Sequence, residues 1–271
     1  MAGTGKKWLI GCGAGCGGFI LLIILISVGG SLWMMKPMNA AVDSQKILDE
    51  KFGSRDTYVP PPGGITPDRM EAFLVVREAL LPSCEKFREI ALDFDEMERL
   101  DSDEDVSTGQ ALKAVGGLMG SVTGMVAEMG RFTEVRNEAL LAQGMGHGEY
   151  VWIFVLAYHS WLGHQPGTTV ESDATEELSR NERKVIRRLM RNHAEALTEA
   201  GLAGQAEPWE KEILRLERTE SDVPFEGKEL PVELVASFQP YRDRLEAVYC
   251  VETAGFELNT IKKRGLSIQA N

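Results

Sequence analysis

The chain has four histidines, His147, His159, His164 and His193, and the first three fall within eighteen residues of one another, beside Glu149. Imidazoles near a carboxylate are the raw material of metal sites and of acid–base chemistry. Their spacing argues against both. Steps of twelve and five residues do not share one face of a helix, where neighbours stand three or four apart. Neither HExxH nor the Glu-x-x-His of di-iron bundles occurs. His159 therefore reads as a core imidazole hydrogen-bonded inside a bundle. Glu149 precedes the apolar run Tyr150 to Leu162, where the free amides and dipole of a helix start favour a carboxylate. The two read as a structural polar core, with Arg77 or Arg131 as the expected partner of Glu149 if it is buried. A carboxylate held there with a raised pKa would be functional instead. The alternative reading is thus a periplasmic enzyme or ligand-binding domain with a pocket around Glu149 and His159.

Other catalytic patterns are missing. The sequence has no GxSxG elbow, no Walker loop and no glycine-rich dinucleotide turn after a strand. No catalytic residue, metal ligand or cofactor is implied. Of the four cysteines, Cys84 and Cys250 fall on the first and last long helical stretches. An even count in an oxidising compartment favours one disulfide between them, and two separate buried thiols are the other reading.

The remaining pair, Cys12 and Cys16, lies in IGCGAGCGGF, where Gly11 to Gly18 are all small. This stretch opens an uncharged run from Trp8 to Trp33. At about 1.5 Å per residue that run is roughly 37 Å long as a helix, enough for a hydrocarbon core of about 30 Å with a tryptophan near each interface. A single transmembrane anchor is expected, with a cleaved signal peptide as its rival. Leu9-Ile10-Gly11-Cys12 resembles a lipoprotein box in composition only, because here the apolar core follows the cysteine. Two thiolates alone make a poor zinc site. Gly11, Gly15 and Gly18 share one face, and Gly13 and Gly17 form a second small-xxx-small pair. Small residues let helix backbones approach in lipid, so this face is a candidate packing surface for another membrane helix. A helix end that merely tolerates glycine is the other reading.

Lys6 and Lys7 before the run outweigh Lys36 after it, which keeps the N-terminus cytoplasmic and places the rest outside: periplasmic if the source is bacterial, otherwise extracellular. Every acidic residue follows Asn39, and from there on 26 basic side chains face 41 acidic ones. Such a surface repels phosphate backbones, which disfavours nucleic acid. It suits a basic protein surface, or simple solubility.

Those residues need elements to position them. Residues 1–7 are a cytoplasmic tail and 8–33 the anchor. Residues 34–65 hold a short amphipathic helix, with Val42, Ile47, Leu48 and Phe52 as apolar points, and a stalk around Pro60-Pro61-Pro62-Gly63-Gly64. Thr66-Pro67-Asp68 starts a long helix that runs through Pro82. A second runs from Ser107 to about Gln143, with Gly116, Gly117, Gly120 and Gly124 explained by a close crossing or by a break near Gly116. The apolar stretch in 147–164 belongs at the centre of the domain. Helices over 176–200 and 208–220, and a last one from Pro231 to about Cys250, complete the acidic domain of 66–258, and 259–271 is a tail. The expected fold is all-α: an N-terminal transmembrane helix and an irregular exoplasmic bundle of five or six helices. The expected function is that of a non-catalytic accessory or assembly subunit of a membrane protein complex, bioenergetic or transport, meeting other subunits through its membrane helix.

Overall fold

Thr66 starts one of the two longest helices among the described residues: its carbonyl accepts from the amides of Arg69 and Met70, and Pro67 takes the first helical position, where an N–H would have no partner. The computed structural model describes residues 38–101, 108–164, 173–219 and 223–258. Among them every regular element is helical and no strand occurs. Helix α1 covers 38–52, α2 Pro67–Asp101 and α3 Thr108–Ala142. α2 and α3 pack against each other. Pro82 is accommodated inside α2, and α3 passes Gly116 without a break. An added Cβ on Gly124 would meet nothing within 4 Å, so no close crossing accounts for that glycine.

Helix α4 (His147–Phe154) continues as a π-helix over Val155–Trp161, and its residues from Tyr150 to His159 are all buried. A segment apolar on every side must be enclosed, and α2, α3, α5 and the C-terminal helices enclose it. α5 (Asp173–Glu199) and α6 (Ala203–Arg218) form a hairpin whose turn holds Gly201 at φ +77°, the left-handed conformation glycine adopts after a helix end. Val185, Ile186, Leu189 and Leu197 of α5 are buried, as their periodicity requires.

Three expectations change. The last helix is not continuous. It divides into α7 (Val232–Phe238), a 3-10 turn at Gln239–Tyr241, α8 (Arg242–Ala247) and α9 (Ala254–Glu257), and Pro240, which lacks an N–H, sits at the first break. α6 begins five residues before Pro208, forgoing one intrahelical bond at the proline. The proline-rich segment and α1 are not a free spacer. Asn137 of α3 donates to Ser44 Oγ at 3.2 Å and Gln45 Oε1 at 3.3 Å, while the Ile65 amide donates to Ser237 Oγ at 2.9 Å. Buried polar groups seek such partners, so Ser44 and Gln45 turn inward and Ile47, 53% exposed, turns outward. Among the described residues no helix is long and apolar enough to cross a membrane, and residues 8–33, with all five candidate packing glycines, lie outside them.

Candidate functional site

Glu149 stands in the first turn of α4 and is held by Arg69, not by Arg77 or Arg131. Arg69 Nε reaches Glu149 Oε1 at 2.6 Å and Nη2 reaches Oε2 at 2.7 Å, a two-pronged pair joining α2 to α4. Arg131 bonds Glu128 in its own helix at 2.7 Å. His159 donates through Nδ1 at 2.8 Å to the His164 carbonyl and packs edge-on against Phe154. Burial holds its pKa below the ordinary histidine value. Two cavities lined by described residues are clear in the fold, and neither touches Glu149 or His159.

Arg77 has a different and larger role. It is fully buried, pairs with Glu257 of α9, donates to Tyr150 Oη at 3.0 Å and donates to the Val248 carbonyl at 2.9 Å. Tyr150 Oη donates to the other Glu257 oxygen at 2.6 Å, and Thr253 Oγ1 donates to Oε1 at 3.1 Å. The guanidinium also lies over the rings of Phe154 and Tyr158, at 5.2 and 5.5 Å. Burial by itself would lower the Arg77 pKa, but the Glu257 carboxylate and the two tyrosines outweigh it and hold it well above the usual value. Arg136, also fully buried, donates to the Glu257 carbonyl at 3.0 Å. Burial and the positive charges of Arg136 and Arg55 push the pKa of nearby His147 well below normal. This ion-pair cluster is the main polar feature of the core. Arg77 within an apolar stripe was its only sequence signal, because Glu257 lies 180 residues away.

Cys84 of α2 and Cys250 are both buried free thiols. They lie beside each other, and Thr253 contacts both residues, with Cys84 Sγ at 4.0 Å and the Cys250 carbonyl at 3.4 Å. Their contact pushes the Cys84 thiol up and holds Cys250 below its ordinary value, so Cys250 is the more acidic member. Among the described residues no group of three or more His, Cys, Asp or Glu side chains could hold a metal ion.

The larger cavity lies elsewhere. About 380 Å³ in volume, it opens between the α5–α6 hairpin, Gly63 and the segment entering α7, with His193, Trp209 and Phe225 in its walls. No protein-family model matches this chain, and comparison with curated proteins and with solved structures finds no match.

Proposed function

We propose that this protein is a membrane-anchored, non-catalytic accessory or assembly subunit of a membrane protein complex, with its acidic helical domain outside the cytoplasm. The observation that carries the reading is the uncharged run from Trp8 to Trp33, flanked by Lys6 and Lys7, whose small face offers a second helix close contact. The acidic domain supports it as a surface for a basic partner. Exposed apolar side chains are present too: Leu92 and Val251 are 61% and 55% exposed.

Alkaline extraction of membranes tests the anchor: the full chain should stay in the pellet, and a variant with Leu22→Lys and Leu25→Lys should not. Gly15→Ile tests the packing face. It should insert normally but recover less of a stoichiometric partner from mild detergent, because a β-branched side chain separates backbones that would otherwise touch. Release of the wild-type chain by alkali would overturn the reading. A second reading, a ligand-binding domain, is favoured by one observation, the cleft at His193.

A further inference from the structure

His193 is 4% exposed, and its Nδ1 faces the Pro60 carbonyl at 3.2 Å. A carbonyl only accepts, so Nδ1 carries the hydrogen and Nε2 keeps its lone pair. Burial lowers the pKa of this ring, which keeps it neutral near pH 7. No partner for Nε2 exists among the described residues, although the ring lines the 380 Å³ cleft. Trp209 packs edge-to-face on His193 at 4.7 Å, and Phe225 on Trp209 at 5.0 Å. Phe225 has φ +57°, a conformation costly for an aromatic residue. It is held there by Glu212, whose carboxylate accepts from the Phe225 amide at 2.7 Å.

Charge is distributed unevenly around this cleft. Lys228 is drawn away to Glu212 at 2.9 Å, and Arg215 is bound to the same carboxylate. Glu229 and Glu233, both exposed and both lining the cleft, make no ion pair among the described residues. The lining therefore combines two unneutralised carboxylates, a neutral imidazole acceptor and apolar walls from Leu197, Trp209 and Leu234, with no formal cation. Gly63 and Gly204 leave two parts of the wall without side chains. The volume is within the range of small-molecule sites, about 300–1,000 Å³.

We propose that this cleft binds a small organic ammonium compound, an alkyl- or arylalkylamine, whose N–H is donated to His193 Nε2, whose charge is balanced by Glu229 and Glu233, and whose apolar body lies against Trp209, Phe225 and Leu197. The reading goes beyond the accessory role and does not depend on the anchor. Calorimetric titration of the full chain in detergent, with 2-phenylethylammonium as the probe, tests it. The neutral 2-phenylethanol and the anionic 3-phenylpropionate serve as size-matched controls. The ammonium should bind saturably, the alcohol more weakly and the carboxylate not at all. The paired change Glu229→Gln, Glu233→Gln, both on exposed side chains, should weaken ammonium binding about fivefold or more and leave the alcohol unchanged, as expected for loss of exposed charge partners. Gly204→Leu, placed where an added Cβ meets nothing within 4 Å, should block the cleft while the melting temperature holds. Absence of saturable ammonium binding, equal binding of all three probes, or unchanged affinity in both variants would overturn the proposal. So would a blocked tripeptide Gly-Lys-Gly that binds at least about tenfold tighter than the free amine, since a partner's lysine would then be the occupant.

Discussion

Two carboxylates, Glu149 and Glu257, have different energetic weight, and burial decides which dominates. Glu257 is fully enclosed with Arg77, whereas Glu149 is 14% and Arg69 32% exposed at their side chains. Glu257→Gln leaves a buried guanidinium without its counter-charge, which costs about 3–5 kcal/mol in such sites. Glu149→Gln removes one half of a partly solvated pair and should cost about 1–3 kcal/mol. Urea unfolding of both variants checks the order, and an equal or larger loss from Glu149→Gln would show that burial is not the governing factor. Arg77→Met combined with Glu257→Leu should recover much of the single-variant loss, because the pair is then removed as a unit. Glu149 was legible from its place at a helix start. Its partner was not, since Arg69, Arg77 and Arg131 are alike in sequence and only the approach of α2 to α4 selects among them.

At the scale of elements, two contacts govern how helices meet. A Cβ on Gly148 would strike the Arg55 carbonyl and the Tyr58 Cβ, so α4 touches the 55–58 turn backbone to backbone. Gly148→Ala should therefore destabilise by about 1–3 kcal/mol. Gly124→Ala, in open space within α3, should instead stabilise by about 1 kcal/mol. Thermal melts of the two should shift in opposite directions; a shift of the same sign would sink the argument. The segment 244–253 runs along α2, with Arg244 on Glu71 and Glu78, Val248 on Arg77, Cys250 beside Cys84, and Glu252 on Arg88. In an oxidising compartment we expect Cys84 and Cys250 to form a disulfide, two electrons and two protons passing to a disulfide oxidant. Closing so long a loop would stabilise by about 4–5 kcal/mol in the chain-entropy model. Alkylation of the denatured, unreduced protein, taken from the exported fraction, should label neither residue, and two labelled thiols would refute the bridge.

For the whole molecule the buried imidazoles set the response to acid. Burial lowers the pKa of His147, His159 and His193 in the folded state, whereas unfolded histidine titrates near 6.5. Above pH 6.5 both states are neutral and no stability depends on these groups. As pH falls below 6.5 the unfolded chain takes up protons that the folded chain refuses, and stability is lost at up to about 1.4 kcal/mol per pH unit per histidine. The loss should therefore be well advanced by pH 5, before carboxylates such as Glu212 and Glu252, held below their ordinary values, begin to protonate. Melting temperature measured from pH 7.5 to 5 checks this, and a flat profile would contradict it. Sequence alone determined the helical class, the buried face of α5, the central place of the apolar segment that begins at Tyr150 and the chemical contrast between residues 8–33 and the acidic remainder. Each of these follows from local periodicity or composition, which a chain carries wherever it folds. Tertiary structure decided the pairing of Arg77 with Glu257, the meeting of Cys84 with Cys250, the packing of the proline-rich segment onto α5 and α7, and the cleft at His193. Those depend on which surfaces exclude water together, and residues 100 or more apart have no local pattern to announce it.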